Sequence, residues 1–167
     1  MNTAVNEPVR HLSCQLRAIG ALSTVEPARL AQIPLLASLG PAELEVAAIW
    51  VGVERHPAEA VIVRQGETAD RMFLIAGGKV EVLVNDARGV PRRVSALSAG
   101  SYFGEIALLG DDSARRTATV RSIAPVELYS LQKDDFRILL RSQPRIARDV
   151  ARLARVRLEQ SRQIAGA

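Results

Sequence analysis

The chain has 167 residues and a mass of 18.1 kDa, the size of one ordinary domain with modest extensions, and its 48% hydrophobic and 24% charged residues make it a globule rather than a disordered chain. One cysteine, Cys14, excludes an internal disulfide framework and fits a reducing compartment; two histidines, His11 and His56, exclude a multi-histidine metal site; and 4% aromatic residues is too few for a platform that stacks single-stranded nucleic acid. The formal charge of +4 is uneven: residues 137–167 carry eight Arg against Asp149 and Glu159 (+6), so 1–136 carry 14 basic and 16 acidic side chains (−2).

From the N-terminus, Val9, Leu12, Leu16 and Ile19 have helical spacing and predict a short helix over Val9–Leu22. Glu7, Arg10 and Arg17 interrupt any apolar signal core there. Ser23-Thr24-Val25-Glu26 resembles a capping box and predicts a second short helix through Ala28, Leu30 and Ile33, ended by Pro34. The longest uncharged run, Leu30–Ala42, contains Pro34, Gly40 and Pro41, so no spanning helix is expected. Gly40-Pro41 opens a further helix through Leu44, Ala47 and Ala48.

From about Trp50 the period becomes alternating. Val61–Val63, Met72–Ile75, Val80–Val84, Val94–Leu97, Thr117–Val120 and Val126–Leu131 read as strands. Gly77-Gly78 predicts a hairpin between the second and third of these. Many short strands with closely spaced turn signals predict an antiparallel β-roll or jelly-roll barrel, mainly β with flanking helices. Helical period returns after Lys133: Phe136, Leu139 and Leu140 mark one helix, and Ile146 to about Ile164 a longer one. The expected organisation is a helical extension over 1–32 and one domain over 33–165, with opening helices at 33–49, a β-barrel at 50–132 and C-terminal helices at 133–164.

The chemistry concentrates in Phe103-Gly104-Glu105-Ile106-Ala107-Leu108-Leu109 and, after a loop, Arg115-Arg116-Thr117-Ala118-Thr119-Val120. Gly104-Glu105 opens a short apolar turn whose first N–H groups lack helical partners and suit an anion. Glu105 at that end is suited to accept hydrogen bonds from hydroxyls. Arg116 precedes an apolar strand, and a buried Arg needs an anionic partner. The two side chains either pair with each other or bracket a ligand that carries both hydroxyls and a phosphate.

These two segments resemble the phosphate-binding cassette of the cyclic-nucleotide-binding domain family, which occurs in catabolite-activator-type regulators, kinase regulatory subunits and cyclic-nucleotide-gated channels. Ile33-Pro34-Leu35-Leu36, Gly66-Glu67, Asp70, Phe73, Gly78-Lys79-Val80 and Gly100 extend the resemblance over roughly residues 33–160. The resemblance implies that Glu105 bonds a ribose 2′-hydroxyl, that Arg116 pairs with a cyclic phosphate helped by backbone N–H groups near Gly104, Ile106 and Ala107, and that Val82 lines the base pocket. Arg115 is the rival for the phosphate; counting back from Ala118-Thr119-Val120 selects Arg116, with Arg115 a solvated loop charge. The loop from Gly110 to Arg115 is slightly long for the family. Thr117 is able to bond a guanine yet does not exclude adenine, so cAMP is the expected ligand with cGMP the alternative, and no metal is expected.

On the last helix, Ile146, Val150, Leu153 and Ile164 form an apolar stripe. Arg145, Arg148, Arg152, Arg155 and Arg162 lie opposite it. Such a basic helix is able to bind nucleic acid or an anionic membrane surface, although a solvated Arg-rich face is the simpler reading. Arg157 breaks the apolar stripe. In the family the last helix closes over the base, so Arg157 is a candidate to stack on the purine, with Leu158 the alternative cap and a snorkelling side chain the plainer explanation.

The expected function is therefore a non-enzymatic cyclic-nucleotide sensor, free-standing or regulatory to an effector of unknown type, in the cytoplasm or at the cytoplasmic face of a membrane. No helix-turn-helix motif is visible. A cupin-type enzyme would need clustered His and carboxylate ligands that the sequence does not supply. A ligand-free interaction module of the same fold is the third alternative.

Overall fold

The computed structural model describes residues 25–111 and 113–166; the helix expected over Val9–Leu22 and the cap at Ser23-Thr24 lie outside them. Helix α1 (Pro27–Ala31), a 3-10 turn (Pro34–Leu36) and α2 (Pro41–Trp50) come first, each opening on a proline whose fixed φ suits the first helical turn. The helix expected to run through Ile33 ends at Ala31, and Pro34 starts the 3-10 turn instead of stopping that helix. Glu43 closes the start of α2 by accepting from the Gly40 N–H at 2.7 Å. Eight strands and a short helix follow: β1 (Val51–His56), β2 (Val61–Val63), β3 (Arg71–Gly77), β4 (Lys79–Asn85), β5 (Pro91–Ser98), β6 (Tyr102–Phe103), α3 (Glu105–Leu109), β7 (Thr119–Ser122) and β8 (Val126–Gln132). Helices α4 (Lys133–Ser142) and α5 (Pro144–Ala165) end the domain.

The strands form two four-stranded antiparallel sheets, ordered β1-β8-β3-β6 and β2-β7-β4-β5. This is the mainly β jelly-roll with flanking helices expected from the sequence; its two sheets do not close into a single barrel. The expected hairpin at Gly77-Gly78 is also corrected: β3 and β4 belong to different sheets, and the two glycines carry the chain across from one to the other. Gly78 has φ +88°, and a Cβ there would lie 2.3 Å from the Pro125 carbonyl oxygen. Only glycine fits this crossing. The true hairpin is β4–β5, closed by the Asp86 N–H bonded to Val90 O at 2.9 Å.

Side-chain alternation divides the core in two. On β3, Phe73 and Ile75 face the space between the sheets, with Val63, Val80, Phe103, Val120, Val126 and Leu128. Met72 and Leu74 face the helices, among Leu30, Leu36, Phe136, Ile146 and Val150. Strand β3 is buried on both faces, which is why its sequence is a continuous apolar run. Each fully buried side chain of this kind contributes about 1.5–3 kcal/mol by leaving water. Packing starts upstream of residue 33: Val25 and Leu30 are already buried in the helix-side cluster.

Candidate ligand pocket

A pocket partly open to solvent lies between α3, the sheet of β4 and β5, and α5. It brings together Gly104, Glu105, Ile106, Ala107, Arg116, Thr117, Val82 and Arg157, the residues singled out in the sequence.

Helix α3 is held at the pocket by its apolar residues: Ala107 and Leu108 are buried in the helix-side core. Gly104 precedes it at φ +86°, a left-handed conformation that turns the chain from β6 into the helix. The N–H groups of this first turn have no helical acceptor. Glu105 is 1% exposed, an unusual place for a carboxylate.

Glu105 does not pair with Arg116. Its Oε1 accepts a hydrogen bond at 2.7 Å from Nη1 of Arg157, which also donates to the Tyr102 carbonyl at 2.8 Å. The Arg157 guanidinium sits 5.1 Å from the centroid of the Tyr102 ring. The core-facing arginine of α5 thus has a partner within the protein, and the snorkelling explanation does not hold. Burial, aided by the Glu105 carboxylate, pushes the Tyr102 phenol up to about 12.

Arg116 is 5% exposed and its surroundings are poor in negative charge. Its Nη1 donates to the Gly104 carbonyl at 3.3 Å, and its Nη2 lies 3.5 Å from Oδ1 of Asp70, a carboxylate whose side chain is 67% exposed. Burial pushes the guanidinium pKa down, with Asp70 opposing. The backbone fixes Arg116 at this spot: its N–H bonds Glu67 O at 2.8 Å and its carbonyl accepts from Gly66 N at 2.9 Å. These bonds bend the chain round the pocket, so β7 starts at Thr119 rather than at Thr117. Arg115 is exposed and donates to Thr68 Oγ1 at 2.7 Å, outside the pocket lining.

Four more polar groups belong to the site. Ser95, Gln160 and Ser161 line the pocket, and Asp70 is the carboxylate that faces Arg116. Ser161 was detectable, since it follows Arg157 by four residues on the same helix face. The hydroxyls of Thr117 and Ser161 have no hydrogen-bond partner among the described residues. Leu158 does not line the pocket. Among the described residues no three His, Cys, Asp or Glu side chains gather to hold a metal ion. The pocket therefore offers a buried carboxylate, a buried guanidinium with partial neutralisation, free hydroxyls and an apolar wall from Val82, Leu97 and Val120. That set matches a ligand with an anionic group, hydroxyls and an apolar ring.

Comparison with known proteins places the chain in a family. The profile of the cyclic nucleotide-binding domain matches residues 53–143, and the chain belongs to that family. A cyclic nucleotide-gated potassium channel of Rhizobium etli is 39% identical over 125 residues, 75% of this chain and 33% of that protein. The crystal structure of the catabolite activator protein of Thermus thermophilus superimposes with a TM-score of 0.66 at 30% identity, covering 78% of this chain and 60% of that one. The regulatory subunit of a cAMP-independent protein kinase A from Trypanosoma cruzi, bound to guanosine, gives a TM-score of 0.71 at 25% identity, covering 85% and 47%. The chain spans between a third and three-fifths of the length of these relatives. They are a potassium channel, a catabolite activator protein and a kinase regulatory subunit; what this chain shares with them is a cyclic nucleotide-binding domain of mainly β fold.

Proposed function

We propose that the domain is a cAMP sensor without enzymatic activity, acting in the cytoplasm on an effector of unidentified type. The observation that carries this reading is the pair of buried charges of opposite sign in one pocket, Glu105 at 1% and Arg116 at 5% exposure, that do not neutralise each other. A cyclic phosphate would complete the charge of Arg116 and take up first-turn N–H groups of α3. A ribose hydroxyl would donate to Glu105. The base would lie toward Val82, Thr117 and α5. Because Arg157 already holds Glu105, a ligand hydroxyl must share that carboxylate or displace the arginine, and either outcome reaches α5. Occupancy is then reported by movement of this helix. Release of Arg157 from Glu105 would also free it to stack on the purine.

A second ligand, cGMP, is favoured by one observation: the unpartnered Thr117 hydroxyl in the pocket lining, an acceptor and donor for a guanine edge. The test is isothermal titration with cAMP, cGMP and guanosine in parallel. Tightest binding of cAMP supports the reading, tightest binding of cGMP transfers it to the alternative, and guanosine binding equal to both nucleotides shows that the phosphate and Arg116 play no part. Failure of all three sinks the sensor reading and leaves an interaction module.

A further inference from the structure

The pocket uses one face of α5; the opposite face carries a charge pattern that the pocket does not explain. Ile146, Val150, Ala154 and Ser161 are buried, and Arg157 points the same way. Arg145, Arg148, Arg152, Arg155 and Arg162 are all exposed. At ~100° per residue the first four fall within an arc of about 80°, centred opposite the buried stripe, and Arg162 extends the row to a length of about 25 Å. Arg152 lies 3.7 Å from Asp149; Arg145, Arg148, Arg155 and Arg162 meet no carboxylate within ion-pair distance among the described residues. Asp149 and Glu159 are the two acidic side chains on α5, both exposed.

We propose that this arginine row is a docking surface for an anionic lipid membrane, on which α5 lies flat. Four features of the row select that partner. It is straight and one-sided, the arrangement that meets a plane of charge. Its outward orientation is set by the other side of the same helix, where Ile146 and Val150 pack into the domain. It carries no means of insertion: Val156 is the only large apolar side chain exposed on α5, and no aromatic residue flanks it. Adsorption is therefore electrostatic rather than of the kind that buries an apolar helix face. Finally, α5 carries six Arg against Asp149 and Glu159, a balance of +4, whereas the rest of the chain has 16 basic and 16 acidic side chains and is balanced, so the attraction of an anionic plane concentrates on α5.

Other partners fit less well. A helix in a duplex groove needs cations on both flanks and base-reading side chains between them, whereas these arginines form a single band. A second copy of the chain would bring like charges face to face.

The full chain is mixed with sedimentable vesicles of phosphatidylcholine alone or of phosphatidylcholine with phosphatidylserine, and in parallel with duplex DNA. The proposal expects sedimentation with the phosphatidylserine vesicles only, falling steeply with added salt. Replacing arginines by glutamine in R145Q/R148Q/R155Q should lower the partition coefficient by about fivefold per residue, over a hundredfold in all. Glutamine suits an exposed helix, so the thermal midpoint should not move. The charge-matched control R64Q/R88Q/R93Q, on strands and turns, should keep most of the partitioning. Equal loss in the control would show that net charge and not the row is responsible, and would overturn the proposal. So would tighter retention on DNA than on vesicles, which makes nucleic acid the partner, or retention on neither.

Discussion

Arg157 Nη1 donates to Glu105 Oε1 at 2.7 Å across 52 residues of sequence, joining the helix that closes the pocket to the only carboxylate that lines it. The same nitrogen is 2.8 Å from the Tyr102 carbonyl, so one guanidinium ties α5 to both β6 and α3. Glu105 is almost fully buried while Arg157 is 18% exposed, so the carboxylate is the member that cannot do without the other.

Arg157→Gln is therefore expected to destabilise the free protein by about 1–3 kcal/mol, through loss of the charge facing a buried carboxylate. Arg155→Gln, two residues away on the exposed face, should stay within about 0.5 kcal/mol. Urea unfolding of both variants, combined with Glu105→Gln in a double-mutant cycle, checks the pair directly. A coupling energy near zero would mean that the contact carries nothing.

Arg116 should behave in the opposite way. Its charge is buried and offset by an exposed Asp70, a carbonyl, the field of Glu67 and the Phe73 ring 5.9 Å away, none of them a buried counter-ion, so Arg116→Leu should leave the free protein unchanged within about 1 kcal/mol or more stable. Binding of a cyclic nucleotide should fall roughly 30- to several-thousand-fold, the loss expected when a buried charge pair loses one partner. Arg115→Leu, with its exposed contact to Thr68, should cost under ~1 kcal/mol in binding. Melting curves with and without nucleotide separate the two effects.

Much of this site was legible in the linear sequence because its residues come in two compact runs, 103–109 and 115–120, where residue type and spacing carry the signal. What escaped was long-range. That Glu105 faces Arg157 rather than Arg116 depends on where α5 docks, and local periodicity shows only that Arg157 points inward. The Gly77-Gly78 pair has the composition of a hairpin turn, yet the strands it joins lie in different sheets; the distinction rests on the Pro125 carbonyl beneath Gly78, 47 residues away in sequence. Strand β6 has two residues, too few for any period. Strand β1 carries Gly52, Glu54 and Arg55, which blur its alternation.

Two glycines with positive φ should fail differently. At Gly104 a Cβ would come within 2.7 Å of Arg116 Nη1, the end of a side chain that is able to shift. Gly104→Ala should lose about 1–2 kcal/mol from the left-handed backbone and, in addition, move Arg116 and weaken nucleotide binding. At Gly78 the obstacle is backbone at 2.3 Å, which does not give way. Gly78→Ala should lose more stability without a specific effect on affinity in whatever fraction remains folded. Titration and thermal melts of the two variants distinguish these patterns.

The Tyr102 phenol predicts an alkaline limit. Its pKa rises from 10.0 to about 12 on folding, because burial and Glu105 both disfavour the phenolate. The neutral form is thus favoured in the folded state. That contribution is fully present below pH 10 and is lost as pH rises from 10 to 12. Tyr102→Phe should flatten the fall in melting temperature across this window while leaving the neutral-pH value nearly unchanged. An unaltered alkaline slope would assign the loss to other groups.

The closing prediction concerns α5 as the moving part. Its buried contacts are few for a helix of 22 residues: Ile146, Val150, Ala154 and Ser161 are buried, with Leu153 and Ile164 only half-buried. Small contact area makes local undocking inexpensive in free energy, so the helix should open well before the sheets unfold. In the free protein the Arg157–Glu105 pair is the main polar contact that opposes opening. A bound nucleotide adds contacts from the base to the pocket face of α5, near Gln160 and Ser161, and shifts the population toward the docked form. Amide exchange in residues 145–163 should slow when cAMP is added, while β4, paired on both sides by β5 and β7, changes less. In Arg157→Gln the free protein should exchange faster over the same segment, and the slowing by ligand should be larger. If exchange in 145–163 ignores cAMP while calorimetry shows that it binds, the signal leaves by another route, through α1 and α2.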